Sequence, residues 1–228
     1  MTSGKTPRSV LVLGATGRTG LEIVRQLAHH KNKPAVHAFC RNPKKLSSHD
    51  TTLCASVLSG DARSSEDLHR AVEETNADVV VVCVGNGDGT KKTDIRTASA
   101  QALVDVLKKS PYHHVRVVVV SSNGARKSRI IVGMGIGKLI SYHLRYVLAD
   151  HTGQEAAFET MNERTVVIRP TSLTDGKAKG KFVEFGDKEK PRTIKIDRSD
   201  VAAYAVEEIC GKTTSPAGKV VNITGYVR

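Results

Sequence analysis

"LVLGATGRTG", residues 11–20, is the stretch that decides the fold. An apolar run ends there in three glycines spaced three apart, and an amphipathic segment follows. In a turn between a strand and a helix, Gly14 permits the tight turn and Gly17 lets the backbone approach a pyrophosphate, while Gly20 lets the helix pack against the strand. The free N–H groups at the helix start then bind the phosphates. The stretch therefore predicts a dinucleotide site, with a plain structural turn as the alternative.

A nucleotide-hydrolase loop is excluded by spacing. Such a loop needs Gly-Lys-Ser/Thr at a fixed distance after its first glycine, and residues 11–20 lack it. The glycine-rich stretch GMGIGK, residues 133–138, fails as well, because Val132 precedes it and Leu139 follows its lysine.

Short apolar runs alternate with amphipathic stretches along the whole chain, which is typical of βαβ units. Strands are predicted at 9–14, 35–40, 52–60, 78–85, 114–122, 164–170 and 219–225. Helices are predicted at about 17–30, 64–75, 93–109, 136–161 and 199–210. The fold class is α/β: a Rossmann-type, doubly wound parallel sheet in three layers, forming one domain over residues 1–228. Residues 171–198 break the alternation, and we expect them to form a small hairpin or cover on the substrate side.

Composition narrows the class of protein. The chain has 228 residues, 39% hydrophobic and 25% charged, which is ordinary for a globular domain. No apolar run approaches the roughly 18 residues of a membrane helix, and no signal segment precedes the first strand, so we predict a cytoplasmic protein without a membrane partner. Widely separated cysteines are expected to be reduced thiols, at Cys40, Cys54, Cys83 and Cys210. The histidines form no ligand set, so no metal is expected.

The net charge of +12 suggests a phosphate-bearing partner. Its basic residues are dispersed in small groups, and only 4% of residues are aromatic, so stacking platforms for bases are scarce. Direct nucleic-acid binding is therefore not expected, and a small-molecule ligand is favoured.

The end of the second predicted strand indicates which cofactor binds. Sites that prefer NAD place an acid there for the ribose 2′-hydroxyl, whereas this chain has Arg41 and no acid before Asp50. A charge-assisted bond of about 1.5–3 kcal/mol to a 2′-phosphate favours NADP by about tenfold to a hundredfold. Arg18 can reach the same phosphate; the alternative for both arginines is a solvated loop charge.

Several segments in the same order resemble the atypical short-chain dehydrogenases/reductases, in particular the NAD(P)H-binding, NmrA-like branch that includes biliverdin IX-beta (flavin) reductase. The resemblance covers nearly the whole chain. Its segments are GATGRTG, CRNPKK, GDARSSEDL, VVVVSSNGA, LADHTGQEAAF and IRPTSLTDG.

The resemblance implies a set of site residues. Cofactor contacts are implied for Gly14, Ala15, Thr16, Gly17, Arg18, Thr19, Gly20, Arg41, Asn42, Asp61, Ala62, Val84, Gly85, Ser121, Pro170, Thr171 and Leu173. Among these, Asp61 corresponds to a residue that contacts the adenine amino group; its alternative role is a helix cap. Catalytic or substrate contacts are implied for Ser121, Ser122, His151 and Gln154. Of these, His151 is of a type able to donate a proton near neutral pH, and Gln154 takes the family's lysine-like position.

The chain departs from the usual short-chain dehydrogenases, since none of its tyrosines is followed four residues later by lysine. Three hypotheses remain. The first is an NADPH-dependent reductase of a small planar acceptor such as a flavin, quinone or tetrapyrrole. The second is a non-catalytic NADP(H) sensor that binds a protein partner, and the third is an isomerase or dehydratase-like use of the fold. Compact single-domain relatives suggest a monomer.

Overall fold

The structure, a computed structural model, describes residues 7–109, 111–211 and 218–226. The expectation that no signal segment begins the chain therefore falls mostly outside the described residues. The strands are β1 Ser9–Leu13, β2 Ala35–Cys40, β3 Ser56–Ser59, β4 Val79–Val82, β5 Arg116–Val120, β6 Thr165–Pro170, β7 Ser172–Thr174, β8 Phe182–Phe185, β9 Lys195–Asp197 and β10 Val220–Gly225. The α-helices are α1 Arg18–Ala28, α2 Ser48–Thr52, α3 Ser65–Thr75, α4 Ile95–Leu107, α5 Ile136–His143, α6 Arg145–Ala157 and α7 Arg198–Cys210.

Eight strands form the central sheet in the order β3-β2-β1-β4-β5-β6-β10-β8. All neighbours are parallel except β8, which runs antiparallel to β10 at the edge. Strand order reverses between β1 and β4, and ligands of such sheets bind at the carboxyl ends of the strands beside this switch point. The predicted Rossmann-type doubly wound sheet is confirmed.

Helices cover both faces of the sheet because the strands are apolar on both sides. Val10 and Val12 of β1 pack with α1 and α7, whereas Leu11 and Leu13 pack on the opposite face with α3 and α4. The helix predicted at 64–75 is confirmed as α3, and its start is capped by the Ser64 hydroxyl, which accepts the Asp67 backbone N–H at 3.2 Å.

Three predicted segments differ from the structure. The third strand begins only at Ser56 rather than at residue 52, because α2 extends to Thr52 and the chain turns over residues 53–55 before the strand. The predicted helix 136–161 is divided at Leu144 into α5 and α6, and a 3₁₀ segment follows at Phe158–Arg164. Residues 171–198 form no hairpin: β8 pairs with β10 of the main sheet, and β9 pairs in parallel with β7. Pairing with strands distant in sequence replaced the local turn that the alternation suggested.

Candidate nucleotide-binding site

The glycine turn after β1 is built by close backbone approaches. Gly14 has a φ of +80°, and a Cβ atom there would lie 2.6 Å from the Cys83 carbonyl oxygen at the end of β4. A Cβ on Gly20 would lie 2.4 Å from the Gly14 carbonyl oxygen, so α1 can approach β1 only without a side chain at that position. The Gly17 backbone N–H donates to the same oxygen at 2.9 Å and closes the turn. The turn has the geometry that a bound pyrophosphate requires.

The start of α1 is suited to an anion. Gly17 is its N-cap, no side chain among the described residues caps it, and no acid lies in its first turn. The first N–H groups of a helix have no partner within the helix and carry the positive end of its dipole. This arrangement fits phosphate oxygens above Gly17.

A cavity of about 830 Å³ extends from the glycine turn across the ends of β1, β2, β3 and β4. Its wall contains many of the predicted residues, namely Gly14, Thr16, Gly17, Arg18, Arg41, Asn42, Asp61, Ala62, Val84 and Gly85. It also contains residues that the sequence did not point to: Phe39, Cys40, Lys45, Gly60, Cys83, Asn86, Gly87 and Ile95. The remaining predicted cofactor residues, Ala15, Thr19, Gly20, Ser121, Pro170, Thr171 and Leu173, are not part of that wall.

The end of the cavity beside β2 is basic. Arg41 lies exposed directly after β2, and Lys45 follows it in the cavity wall. Asp61 faces them as an ionised carboxylate, because hydrogen bonds from the Arg63 side chain and backbone lower its pKa, and the charge of Arg41 lowers it further. Asp61 does not cap α3, since Ser64 does, so the alternative role of a cap is not the one observed.

Arg18 lies at the mouth of the cavity and is already paired. Its guanidinium donates to Asp175 at 2.9 Å and to Asp88, which belongs to the loop between β4 and α4. Arg198, at the start of α7, also donates to Asp175 at 2.7 Å. To bind a 2′-phosphate as the sequence suggests, Arg18 would have to exchange these carboxylates for the phosphate.

The two serines after β5 differ in accessibility. Ser121 is 4% exposed, and its hydroxyl donates to Glu155 Oε1 at 2.5 Å. Ser122 is partly exposed, and its hydroxyl reaches only the neighbouring Asn123 carbonyl at 3.1 Å. Ser122 is therefore the more accessible of the two serines, and its hydroxyl can exchange its present hydrogen bond for one to a ligand.

His151 is buried on α6, and burial together with the positive charge of Arg96 lowers its pKa to about 3. Its Nδ1 lies 3.3 Å from Gln154 Oε1, so the structure brings these two predicted residues together. A neutral, buried imidazole is not an acid near neutral pH, and this corrects the expectation that His151 is suited to proton donation there. The sequence could not show that the histidine side of the helix faces the interior.

Arg96 is a functional candidate that sequence reasoning missed. It pairs with the fully buried carboxylate of Asp150 at 3.3 Å, and its guanidinium lies against Gly85, where a Cβ would be 2.9 Å from Arg96 Nη2. Arg96 Nε and Gln154 Nε2 are buried donors without a hydrogen-bond partner in the described part of the chain. A signal existed: Arg96 continues the buried face formed by Ala100 and Leu103 at helical spacing.

A parallel sheet that reverses its order beside an uncapped, glycine-lined helix start defines a nucleotide-binding Rossmann protein. The chain belongs to the NAD(P)H-binding family, which matches residues 14–210. The family match supports a nicotinamide cofactor, and the cradle formed by Gly14, Gly17 and Gly20 fits its pyrophosphate.

Relatives and solved structures agree with this family. An oxidoreductase named claK from Passalora fulva is 28% identical over 215 residues, covering 86% of this chain and 76% of its own. A short-chain dehydrogenase/reductase from Veillonella parvula, solved in complex with NADP, has a TM-score of 0.75 at 16% identity, covering 96% and 94% of the two chains. ChuY from Escherichia coli O157:H7, described as an anaerobillin reductase, has a TM-score of 0.70 at 18% identity, covering 95% and 96%. The fold is that of the short-chain dehydrogenases/reductases, as the resemblance implied.

Two further observations concern metals and membranes. Within residues 7–109, 111–211 and 218–226, no cluster of three histidine, cysteine or acidic side chains is arranged to bind a metal ion. Over the same residues, every helix is too short or too polar to cross a bilayer.

Proposed function

We propose that the protein is an NADPH-dependent reductase of a small planar acceptor, such as a flavin, quinone or tetrapyrrole. The observation that carries this proposal is the 830 Å³ cavity, which joins the glycine turn to the basic end formed by Arg41 and Lys45. The coarser function, an NAD(P)H-dependent oxidoreductase, is supported by the family match and by the relative claK. The preference for NADPH rests on Arg41 and on the lack of an acid directly after β2.

The chain's own residues divide the binding work along the cavity. The turn from Gly14 to Gly20 and the start of α1 hold the pyrophosphate, while Arg41 and Lys45 hold the 2′-phosphate. The Asp61 carboxylate accepts a hydrogen bond from the adenine amino group, because it remains ionised. When bound, the cofactor supplies the hydride, and the protein orients the reacting ring and the acceptor.

At the acceptor end, Ser122 is the proposed contact. Its hydroxyl is partly exposed and weakly held, so it can donate to a carbonyl or ring nitrogen of the acceptor. The buried hydrogen bond from Ser121 to Glu155 holds this segment in position. With His151 neutral and buried, we propose that the proton comes from solvent rather than from this side chain. The planar shape of the acceptor is taken from the resemblance to the flavin and biliverdin reductases.

A second candidate function is an NADP(H) sensor that binds a protein partner. Two features favour the sensor: the chain lacks the tyrosine–lysine pair, and His151 is neutral. Neither position therefore supplies an acid that could protonate a substrate. In this case the cavity would still bind NADPH, but no acceptor would be reduced.

One assay separates the two. Purified protein is mixed with NADPH and, in turn, with a flavin, a quinone and biliverdin, and the loss of NADPH absorbance is followed. We expect consumption with at least one acceptor, with kcat lowered about tenfold in Ser122→Ala, since one hydrogen bond contributes about 1–1.5 kcal/mol. Ser121→Ala serves as the contrast, because it removes a buried bond and is expected to affect stability more than kcat. Tight NADPH binding without reduction of any acceptor would reject the reductase in favour of the sensor.

A further inference from the structure

The connection between β5 and α6 exposes an unusual group of large apolar side chains. Met134 is 100% exposed, Leu139 71% and Tyr142 69%, and Tyr146 is also exposed at the start of α6. Leu139, Tyr142 and Tyr146 follow one another at helical spacing, so they share a face of α5 and of the turn into α6. Contiguous apolar side chains on a surface indicate an interaction site.

The charged side chains that neighbour this group in the sequence are all basic. No Asp or Glu occurs between Asp105 and Asp150. Lys138 and Arg145 are exposed between the apolar residues, and the Arg145 guanidinium lies 4.5 Å and 4.4 Å from the ring centres of Tyr142 and Tyr146. Two acids from other elements contact this connection and are themselves paired: Glu159 pairs with Arg126, and Asp187, whose carbonyl accepts the Arg129 N–H, pairs with Arg169. We name the surface formed by Met134, Leu139, Tyr142 and Tyr146 with Lys138 and Arg145 the basic apolar surface.

The basic apolar surface is convex and firmly built. Met134 has a φ of 57° between Gly133 and Gly135, and a Cβ on either glycine would meet nothing within 4 Å, so the methionine stands on a projecting tip. Behind the tip, a Cβ on Gly137 would lie 2.0 Å from the Ile130 carbonyl oxygen, which shows how closely α5 packs on the preceding segment. The tip therefore projects from a segment that is packed closely against the rest of the fold at Gly137.

We propose that the basic apolar surface docks on anionic lipid bilayers. A bilayer can deform around a convex apolar tip, the tyrosines suit its interface, and lysine and arginine suit its acidic headgroups. A second copy of the chain would bring like charges face to face, which opposes self-association through this surface. A nucleic acid would leave Met134 and Leu139 without an apolar environment. Within the part of the chain that the structure describes, no helix could cross a membrane, but surface docking needs only a short amphipathic element.

Docking has a geometric consequence for the cavity. The segment leaves the sheet at the carboxyl end of β5, the same edge on which the cavity opens. A docked molecule would therefore hold that edge towards the lipid. This consequence, though not docking itself, rests on the proposed function: an apolar planar acceptor dissolved in the bilayer would lie close to the site.

Vesicle sedimentation with the full chain tests the proposal. Vesicles of phosphatidylcholine with phosphatidylserine are compared with phosphatidylcholine alone, at low and at physiological salt. We expect binding to the anionic vesicles that weakens with salt. In Lys138→Glu/Arg145→Glu we expect a loss of at least about twenty-five-fold, at about fivefold for each basic charge removed. Met134→Ser/Leu139→Ser keeps the charge and is expected to weaken binding about tenfold or more.

Matched variants control for net charge and for exposed apolar area. Lys108→Glu/Lys109→Glu makes the same charge change at the exposed end of α4, and Ile194→Ser removes an exposed apolar side chain elsewhere. Both are expected to bind as the wild type does. The proposal is overturned if no vesicle is bound, if Lys108→Glu/Lys109→Glu loses as much binding as the surface variants, or if the surface variants change only the oligomeric state in gel filtration. NADPH titration of the same preparations keeps this outcome separate from any failure of the proposed function.

Discussion

At the scale of single residues, Arg96 places a buried positive charge directly behind the cavity wall. Its charge is buried beside Gly85 and is compensated by Asp150, yet one of its donors has no protein partner in the described part of the chain. A buried donor without a partner costs about 1–3 kcal/mol, which a folded protein retains where a ligand or water satisfies it. We therefore regard Arg96 as a residue that positions the cavity wall, and its charge adds to the effect of burial in lowering the pKa of His151.

The pKa of His151 makes a prediction about stability. Its pKa is about 3 in the folded protein and near 6.5 in a free side chain, so the unfolded chain takes up a proton first as the pH falls. The contribution of neutral His151 to the free energy of unfolding is therefore fully present above about pH 6.5 and is lost towards pH 3. The slope from this group is up to about 1.4 kcal/mol per pH unit. In urea denaturation between about pH 7 and pH 5, His151→Asn is expected to show a smaller loss than the wild type. The exposed His113→Asn serves as the control, and equal slopes in all three proteins would contradict the assignment.

Residues whose role follows from local sequence could be predicted, and residues whose role follows from packing could not. Gly14 and Gly20 were identified because the spacing of glycines after a strand has few other causes. Arg41 was identified because its position follows directly from the end of a strand. Helical spacing with Ala100 and Leu103 indicates that Arg96 is buried, but its pairing with Asp150 and the orientation of His151 depend on how α4 packs against α6, which local sequence does not determine.

At the scale of elements, the contact between β1 and α1 depends on the absence of a side chain at Gly20. Gly20→Ala would place a carbon 2.4 Å from the Gly14 carbonyl oxygen, and backbone atoms on both sides leave little room to relax. We expect a loss of about 1–3 kcal/mol in stability together with weaker NADPH binding, because α1 must move away from the turn. Gly133→Ala, which meets nothing within 4 Å, should change the free energy of unfolding by less than about 0.5 kcal/mol. Equal effects of the two substitutions in thermal denaturation would refute this account of the turn.

Helix α6 is joined to β6 by a buried ion pair. Arg169 donates to both oxygens of Glu155, at 2.6 Å and 2.9 Å, and both side chains are almost fully buried. Glu155→Gln leaves the guanidinium without its full countercharge and is expected to cost about 3 kcal/mol, while Glu159→Gln in the exposed pair with Arg126 should cost less than about 1 kcal/mol. Chemical denaturation measures both, and an effect of Glu155→Gln no larger than that of Glu159→Gln would show that the pair does not hold α6.

Most elements could be predicted because their periodicity agrees with their final burial. The strands at residues 9–14 and 78–85 are apolar at nearly every position, as expected for strands covered on both faces. The region 171–198 was predicted less well because β8 pairs with β10 outside the region, and β9 pairs with β7 in parallel rather than as a local antiparallel hairpin. Such pairings are set by tertiary contacts that local alternation does not encode.

At the scale of the whole molecule, the order of strands brings ten of the predicted cofactor residues to the wall of one cavity. Reversal between β1 and β4 opens this cavity at the carboxyl edge of the sheet, and β2 and β3 carry Arg41 and Asp61 to its far end. The net charge of +12 adds a long-range attraction for an anionic cofactor. The exposed segment between β5 and α6 lies at the same edge, and its apolar residues were unremarkable in the sequence because a buried helix would show the same pattern.

The central claim is that this cavity binds NADPH in preference to NADH because of Arg41. Isothermal titration calorimetry with both cofactors tests it most directly, and a protein without tryptophan makes calorimetry preferable to fluorescence. We expect NADPH to bind about tenfold to a hundredfold more tightly than NADH in the wild type, and Arg41→Ala to lose most of that preference. Lys44→Ala, the exposed neighbour outside the cavity wall, should keep it. Equal affinities for NADPH and NADH in the wild type, or an unchanged preference in Arg41→Ala, would contradict the account.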